Sequence, residues 1–440
     1  MSAWSDHVIW WQLHPLSFTG APGQLPAPPG PPAHRLPKLR DWLGYLIELG
    51  ANGLLLGPVF ESGTHGYDTI DHLRIDPRLG DEADWDDLVA ACRERGVKIL
   101  LDGVFNHVGR DFPQFRDVLE HRGASEYADW FHLDLTATDA PDGFGYRDFE
   151  GHGGLVALNH DNPAVRRYTA GVMRHWLDRG ADGWRLDAAY QVPPAFWAEV
   201  VGEVRATHPD AWFLGEVIHG DYREVVREAG LDSVTQYELW KSVWSSLNDA
   251  NFWELDWTLT RHNELTSGFV PQTFVGNHDV TRIASRLDDP RHLGHALAVL
   301  FTVAGVPSVY AGDEQAFRGV KYERVDGDAE IRPAFPESPH QLADFGLPVY
   351  RLHQDLIGLR RRHPWLTRCV TRKVELTNET FAYEAVPPEG EPGLAVLLNV
   401  SDEPCGFGLD RPVKWLLGSA PDGSGTEVEG HGWAIVEFQA

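Results

Sequence analysis

The chain has 440 residues but only three cysteines, Cys92, Cys369 and Cys405. They are too few and too scattered for a disulfide framework or a cysteine-based zinc site. Free thiols in a reducing compartment are the simplest account, so a cytoplasmic location is expected. There is no run of 18 or more apolar residues, so no membrane-spanning helix is expected. The opening, "MSAWSDHVIWWQLHPLSF", lacks the basic start, apolar centre and small-residue cleavage site of a secretory leader, and reads instead as the approach to a strand. Positive charge is scarce: 38 Lys and Arg face 65 Asp and Glu, for a net charge of −27. A surface of that sign repels nucleic acid and anionic lipid, which leaves a neutral or cationic small molecule as the expected partner. No G-x-G-x-x-G follows a strand-like run, which argues against a doubly wound nucleotide-binding sheet.

What the chain does have is aromatic rings and alternation. Aromatics make up 11% of it, with 17 tryptophans. Most belong to a large core, although flat rings also suit the apolar face of a sugar. Eight short apolar runs read as buried parallel strands: "VIWWQL" (8–13), "GLLLGPV" (53–59), "VKILLDGVF" (97–105), "GWRLDA" (183–188), "WFLGEV" (212–217), "SVTQYE" (233–238), "QTFVGN" (272–277) and "PSVYAGDE" (307–314). Amphipathic helical patterns lie between them, and several end in Gly, as helix C-termini often do. Eight strand–helix units predict an α/β fold, a (β/α)₈ barrel, over residues 1–364. Two connections are long. A Pro- and Gly-rich loop covers 19–37, and an insertion rich in aromatic and acidic residues covers about 106–160. From residue 365 to 440 the pattern alternates with period two, which predicts a small C-terminal antiparallel β-sandwich domain.

Barrel active sites sit at the C-terminal ends of the strands. There the third run leads into "DGVFNH" with Asp102, Asn106 and His107, the fourth carries Arg185 and Asp187, and the fifth ends in Glu216. The seventh runs into "VGNHDVTR" with His278, Asp279 and Arg282. Tyr67 and Asp68 lie between the second and third runs. Asp187, Glu216 and Asp279 are three carboxylates converging on one mouth, the arrangement needed for acid/base and nucleophilic work on a glycosidic bond. Arg185 and Asp187, two apart on one strand, face the same way, so they form either a structural ion pair or a nucleophile with its positioner. Taken singly, His107 and His278 would be satisfied core histidines. Trp85 and Trp130 read as packing, Asp76 and Arg78 as loop residues, Asp68 as a holder of Arg or His or a sugar contact, and Arg282 as a site residue or a surface salt bridge.

In order, "DGVFNH", "GWRLDAAY", "GEVIHGD" and "FVGNHDVTR" resemble the four signature regions of the α-amylase family, glycoside hydrolase family 13. The resemblance spans roughly residues 5–365. It implies Asp187 as the nucleophile that forms a covalent β-glycosyl-enzyme. It implies Glu216 as general acid and then base, and Asp279 as the third carboxylate, which stabilises the transition state on the distorted sugar. It implies that Arg185 keeps Asp187 ionised and oriented, that His107 and His278 bind sugar hydroxyls, and that Tyr67 stacks on the sugar at the cleavage point. Asp102 would shape that subsite. The α configuration would be retained by double displacement.

The branch is read from "DFEGHGGLVALNHDNPAVRRY", which is similar to the segment before strand four in the cyclomaltodextrinase, neopullulanase and maltogenic amylase branch. Tyr190 and Gln191 stand where that branch often has Asn and Glu. Ile218 and His219 follow Glu216, where it commonly has Trp before His. Tyr190 and His219 are therefore expected on the acceptor side, altered from the branch. With the first strand expected to begin near residue 8, the branch's N-terminal β domain is expected to be absent. Asn106 matches a calcium ligand of many relatives, but the partner loop is absent. No metal or other cofactor is therefore expected, calcium being possible. The expected substrates are short or cyclic α-gluco-oligosaccharides with α-1,4 and/or α-1,6 bonds, including a cyclic α-1,4/α-1,6 tetrasaccharide, with maltose released. The alternatives are a transglycosylase or trehalose synthase-like isomerase and, more distantly, a non-catalytic sugar-binding protein. A homodimer is a possible assembly, with the aromatic loop 112–132 serving as the contact.

Overall fold

Alternation along each strand decides what fills the middle of the molecule. The structure is a computed structural model that describes residues 4–26, 30–324, 327–409, 411–419 and 426–439. Its main sheet has eight parallel strands: β1 (Trp10–Leu13), β2 (Gly53–Leu56), β3 (Lys98–Gly103), β4 (Gly183–Leu186), β5 (Trp212–Gly215), β6 (Ser233–Val234), β7 (Gln272–Thr273) and β8 (Val306–Tyr310). Their order is β6-β5-β4-β3-β2-β1-β8-β7. A single parallel bridge between Thr235 and Gln272 joins the two ends, and the Gln236 N–H donates to the Gln272 carbonyl at 2.9 Å. The expected barrel is therefore present, closed most thinly between β6 and β7.

Residues of one parity point outward to the helices. Those of the other parity build an inner floor of Val8, Trp10, Leu55, Leu100, Trp212, Leu214, Val270 and Val306. Trp10 and Trp212 stack there with centroids 5.8 Å apart. Gly53 makes room for one of these rings, since a Cβ there would lie 2.4 Å from the Trp10 ring, and Gly183 lets the next strand approach, since a Cβ there would lie 2.1 Å from the Trp212 carbonyl oxygen. The next inward positions, one layer above the floor, are Gln12, Asp102, Arg185 and Glu216. The register sets Arg185 directly beside Asp102. The polar site thus stands on an apolar plug that keeps water from entering below.

The observed strands are shorter than the apolar runs that predicted them. "SVTQYE" shows why: only Ser233–Val234 is strand, because the Gln236 side chain accepts from the Leu239 N–H and starts a helix at Tyr237–Asn248. The loop expected over 19–37 gives way to a helix at Leu36–Asp41, and residues 27–29 lie outside the described residues. The insertion is a three-stranded antiparallel sheet (His107–Gly109, Asp148–Phe149 and His152–Ala157) with a helix at Pro113–His121. In the aromatic loop offered as a dimer contact, Phe112, Phe115, Trp130 and Phe131 are buried in the main core, with Phe112 and Trp130 against Tyr168 of the barrel, and Tyr127 is half-buried.

The C-terminal region forms a five-stranded antiparallel sheet of β9 (Val370–Leu376), β10 (Thr380–Val386), β11 (Gly393–Asn399), β12 (Val413–Gly418) and β13 (Trp433–Phe438), ordered β9-β10-β11-β13-β12. One face packs on the barrel: Tyr383, Leu394, Val396 and Ile435 join the main core, and the Tyr383 and Thr302 hydroxyls lie 2.6 Å apart. The other face is covered by Phe407 and Val428 from a two-stranded ribbon, a thinner second layer than the expected sandwich. Strand β12 escaped the sequence reading because it is a half-exposed edge with a bulge between Trp415 and Leu417.

If the stacked tryptophans are the floor on which the site rests, Trp212→Ala should cost about 3–5 kcal/mol. Urea denaturation followed by fluorescence would measure it. A loss near zero would mean that the floor relaxes around the cavity.

Candidate active site

Seven of the ten residues singled out from sequence meet at the C-terminal mouth of the barrel, around the Arg185 guanidinium. Its Nη1 donates to both oxygens of Asp102 at 2.7 and 2.6 Å and more weakly to Asp187 Oδ1 at 3.3 Å. Its Nη2 lies 2.7 Å from Glu216 Oε1 and 3.7 Å from Asp279 Oδ2. The Arg185 side chain is 3% exposed and that of Asp102 is wholly buried. Four carboxylates from the ends of β3, β4, β5 and β7 thus surround one cation. The expected Arg185–Asp187 pair is present, but as the longer contact: the closest partners of Arg185 are Asp102 and Glu216. The register explains it: Asp102 lies directly across from Arg185, whereas Asp187 lies two residues further along the same strand.

Asp187 is followed by a sharp turn. Ala188 holds the left-handed backbone at φ 46°, uncommon for a residue with a Cβ, and its N–H is thereby aimed at Glu216 Oε2 at 2.9 Å. Tyr237 donates its hydroxyl to Glu216 Oε1 at 3.3 Å and in turn accepts from Asn277 Nδ2 at 2.9 Å. The donors therefore gather on Glu216. Asp187 has only the long Arg185 contact, and burial, with the Glu216 charge beside it, pushes its carboxyl well above the ordinary range. Burial also pushes Asp102 up to about 6, against the pull of Arg185. Burial works against the charge on Asp279 too, but His278, Arg332 and Arg185 hold its carboxyl below the usual range.

Arg332 was not anticipated. It donates to Asp279 Oδ1 at 2.8 Å and to the His278 carbonyl at 2.8 Å. It lies in an irregular stretch beyond β8 with no period to mark it. Gln12, the inward residue of β1, sets the tautomer of His278. Its amide N–H₂ faces His278 Nδ1 at 3.0 Å, so that nitrogen accepts and Nε2 carries the proton, 3.0 Å from Asp279 Oδ2. The same nitrogen meets the Tyr67 hydroxyl, which donates to Asp102 Oδ2 at 3.1 Å. Burial holds the His278 imidazole neutral. The parity of β1 and the "NHD" spacing would have pointed to Gln12 and Asn277.

His107, Tyr190 and His219 stand outside this hub. His107 is buried in the insertion sheet, its ring stacked on Phe149 at 4.7 Å and its Nδ1 facing Asn106 Nδ2 at 3.1 Å. Tyr190 donates its hydroxyl to Glu150 Oε1 at 3.0 Å, Gln191 Nε2 reaches the same oxygen at 3.3 Å, and the His219 ring meets Tyr190 edge-on at 5.4 Å. Glu150, at φ 53° on the insertion, thus reaches across to the barrel rim. Of the other residues weighed from sequence, Asp68 accepts from Thr64 N–H and Oγ1 rather than holding an Arg or His. Arg282 is buried on Asp313 at 2.8 Å and the Tyr310 ring, neither at the hub nor on the surface. Trp85 is core and Trp130 packs in the insertion. Asp76 and Arg78 form a buried pair that ties the loops, with Arg78 donating to the Pro22 and Thr64 carbonyls.

A cavity of about 330 Å³ opens between the insertion and the barrel, lined by Asn106, His132, Arg147, His160, Asp161 and Gln191 among others. Calcium requires six to eight oxygen ligands. Among the described residues, no trio of Asp, Glu or His ligand atoms converges beside Asn106, and Arg147 brings a positive charge to the cavity wall. The carboxylates that line the cavity, Asp148, Glu150 and Asp161, do not themselves converge on one point among the described residues.

Residues 36–338 match the family described as "Alpha amylase, catalytic domain". The chain is 33% identical over 423 residues to the maltogenic alpha-amylase of Bacillus acidopullulyticus, covering 91% of this chain and 68% of that protein. It is 33% identical over 418 residues to neopullulanase 2 of Thermoactinomyces vulgaris, covering 90% and 70%. It is similar over its whole length to the cyclic alpha-maltosyl-(1→6)-maltose hydrolase of Arthrobacter globiformis, solved in complex with cyclic alpha-maltosyl-(1→6)-maltose. That likeness has a TM-score of 0.82 and 26% identity, covering 99% of each chain.

Four buried carboxylates around one guanidinium store repulsion, so neutralising the one with the fewest donors should stabilise the fold. Asp187→Asn is expected to raise stability by about 1 kcal/mol at pH 7. The sign follows from the raised carboxyl: its ionised form is disfavoured in the folded state, so the cost is present at neutral pH. That cost disappears as pH falls through the raised value. Thermal unfolding at pH 7 and pH 4 would check this, and a variant less stable than the parent at pH 7 would contradict it.

Proposed function

The chain belongs to the α-amylase family of glycoside hydrolases, and on that premise we propose that it hydrolyses short or cyclic α-gluco-oligosaccharides, among them a cyclic α-1,4/α-1,6 tetrasaccharide, and releases maltose. The observation that carries the substrate is the end-to-end likeness to a hydrolase of that cyclic sugar, 99% of each chain. The relatives named for maltogenic and neopullulanase activity are longer, with 68% and 70% of them covered.

In this reading Asp187 attacks the anomeric carbon and the leaving oxygen takes a proton from Glu216. Water, deprotonated by Glu216, then releases the sugar from Asp187 with the configuration retained. Asp187 and Glu216 share one guanidinium, and this close pairing suits a nucleophile beside an acid better than a pair spread apart for a water. Asp279 stays ionised beside Arg332 and His278 and is the electrostatic partner of the developing oxocarbenium ion. Tyr67 and His278, locked to each other and to Asp102, form a rigid wall for the sugar at the cleavage point. Before attack Asp187 must be ionised, against the raised preference of its buried carboxyl in the free site, and Glu216 must hold the proton it gives to the leaving oxygen. Sugar hydroxyls would supply Asp187 with the hydrogen bonds it lacks and so favour its ionised form. Tyr190, His219 and the Glu150 arm line the acceptor side. A wall made by a tyrosine and an acidic arm, rather than an open groove, favours compact acceptors over long starch chains.

The test is product chromatography with linear maltotetraose, a cyclodextrin, panose and the cyclic tetrasaccharide. Conversion of the cyclic tetrasaccharide to maltose, with linear sugars cut more slowly, is expected. Longer products or isomers, without new reducing ends, would replace this reading with transglycosylation. Glu216→Gln should lose turnover by at least about 10²-fold while still binding oligosaccharide, and full activity would remove Glu216 from its role.

The pH profile is a second check. Because Asp187 must ionise and its carboxyl is raised, the acidic limb of kcat/KM should fall at a pH above the ordinary aspartate value of about 4. A limb at or below that value would mean that Asp187 ionises as freely as a solvated carboxyl.

A further inference from the structure

Far from the barrel mouth, where the helix at Leu293–Thr302 begins against the C-terminal sheet, three ligand-type side chains converge. Asp289, His292 and His431 each offer one ligand atom, and all three atoms lie within 4.8 Å of one another. His292 Nε2 is 3.0 Å from His431 Nδ1, and His431 Nδ1 is 3.9 Å from Asp289 Oδ2. A tetrahedral ion with bonds of about 2.0–2.1 Å spaces its ligand atoms about 3.3 Å apart. The two measured separations bracket that spacing, so small rotations would complete three legs of a tetrahedron.

The surroundings favour an ion over a plain hydrogen bond. His431 Nε2 lies 2.8 Å from Asp402 Oδ1, which leaves Nδ1 as a bare lone pair facing the cluster. A carboxylate behind a ligating imidazole is the outer-shell arrangement that orients metal-binding histidines. His431 is held in place at φ 56° in a tight turn where its N–H donates to the Ser401 carbonyl at 2.9 Å. His292 is 5% exposed, so its Nε2 faces the cluster from a buried position. One feature opposes the ion: Arg291 grips the Asp289 carboxylate at 2.6 Å. Its side chain is 59% exposed and can release that oxygen to solvent. The other cluster of this kind, His34 with Asp81 and Asp84, is a helix cap, with Asp81 accepting the Ala83 and Asp84 N–H groups.

We propose that Asp289, His292 and His431 bind one divalent transition-metal ion of the zinc class, with water as the fourth ligand, and that the ion fastens the C-terminal sheet to the barrel. Two imidazoles and one carboxylate suit zinc, nickel or copper and not calcium or magnesium. Because it binds only the docked arrangement, the ion raises the unfolding temperature as its concentration rises.

The test uses the full chain after treatment with a chelator. Cobalt(II) is titrated while the visible d–d absorption is recorded, and zinc is titrated by calorimetry. One equivalent with a tetrahedral cobalt spectrum is expected. His292→Ala and His431→Ala should abolish the spectrum, and Asp402→Asn should weaken binding by about 10-fold or more. Arg291→Ala, which removes the competing cation, should tighten it. His34→Ala should change nothing, and hydrolysis of maltotetraose should be unaltered in every variant. Should the histidine variants fail to fold, the exposed Asp402 and Arg291 still decide the question, in opposite directions. Absence of a cobalt spectrum in the parent, or the same stoichiometry and affinity in the Asp402 and Arg291 variants, would overturn the site.

Discussion

Everything at the mouth of this barrel is arranged around one desolvated guanidinium. Arg185 has lost nearly all its water, and a charge in that position must be paired on every side. Asp102 takes one edge, Glu216 the other, and Asp187 and Asp279 complete the ring. The consequences spread outward. With four carboxylates on one cation, the cluster needs Arg332 as a second cation, and Arg332 fixes the loop beyond β8. Asp102 binds Tyr67, Tyr67 binds His278, and His278 is set in its tautomer by Gln12 from the first strand. Residues from β1, β3, β4, β5 and β7 are thereby locked into one network. That rigidity is what a site needs if its dipoles are to be in place before the charge develops. It also leaves Asp187 underprovided with donors, a source of instability that serves a nucleophile.

The rest of the mouth follows a different rule. The hub rests on strand ends, where register leaves little freedom. The proposed acceptor side rests on the insertion and on the turns after β4 and β5, where sequence can change without disturbing the barrel. Glu150 reaches Tyr190 and Gln191 from an exposed loop held at a left-handed φ. The cavity behind Asn106 is lined by Arg147 together with the carboxylates Asp148, Glu150 and Asp161.

Much of this was legible in the sequence, for physical reasons that can be named. A strand buried on both faces must be a continuous apolar run, so eight such runs between amphipathic segments implied the barrel. Side chains two apart on a strand share a face, so Arg185 and Asp187 had to be neighbours, and carboxylates at strand ends had to share a mouth. Strand length was overestimated because apolarity continues into buried turns, as at Gln236, where a side-chain cap starts a helix. Edge strand β12 carried no clean alternation because the bulge between Trp415 and Leu417 shifts its two faces.

The chain by itself determined which residues point inward, and with them the set of charges that would face one another at the barrel mouth, because both follow from a period of two and from the order of the strands. Tertiary structure alone decided how those charges pair. That Arg185 binds Asp102 and Glu216 more closely than Asp187 depends on cross-strand register, which no local pattern encodes. That Gln12, Arg332, Tyr237 and Glu150 join the site depends on long-range closure, since partners such as Gln12 and His278 lie 266 residues apart. Local rules act through bonds and turns a few residues long, whereas the hydrogen bonds that set tautomers and proton positions form only when distant segments are brought into contact.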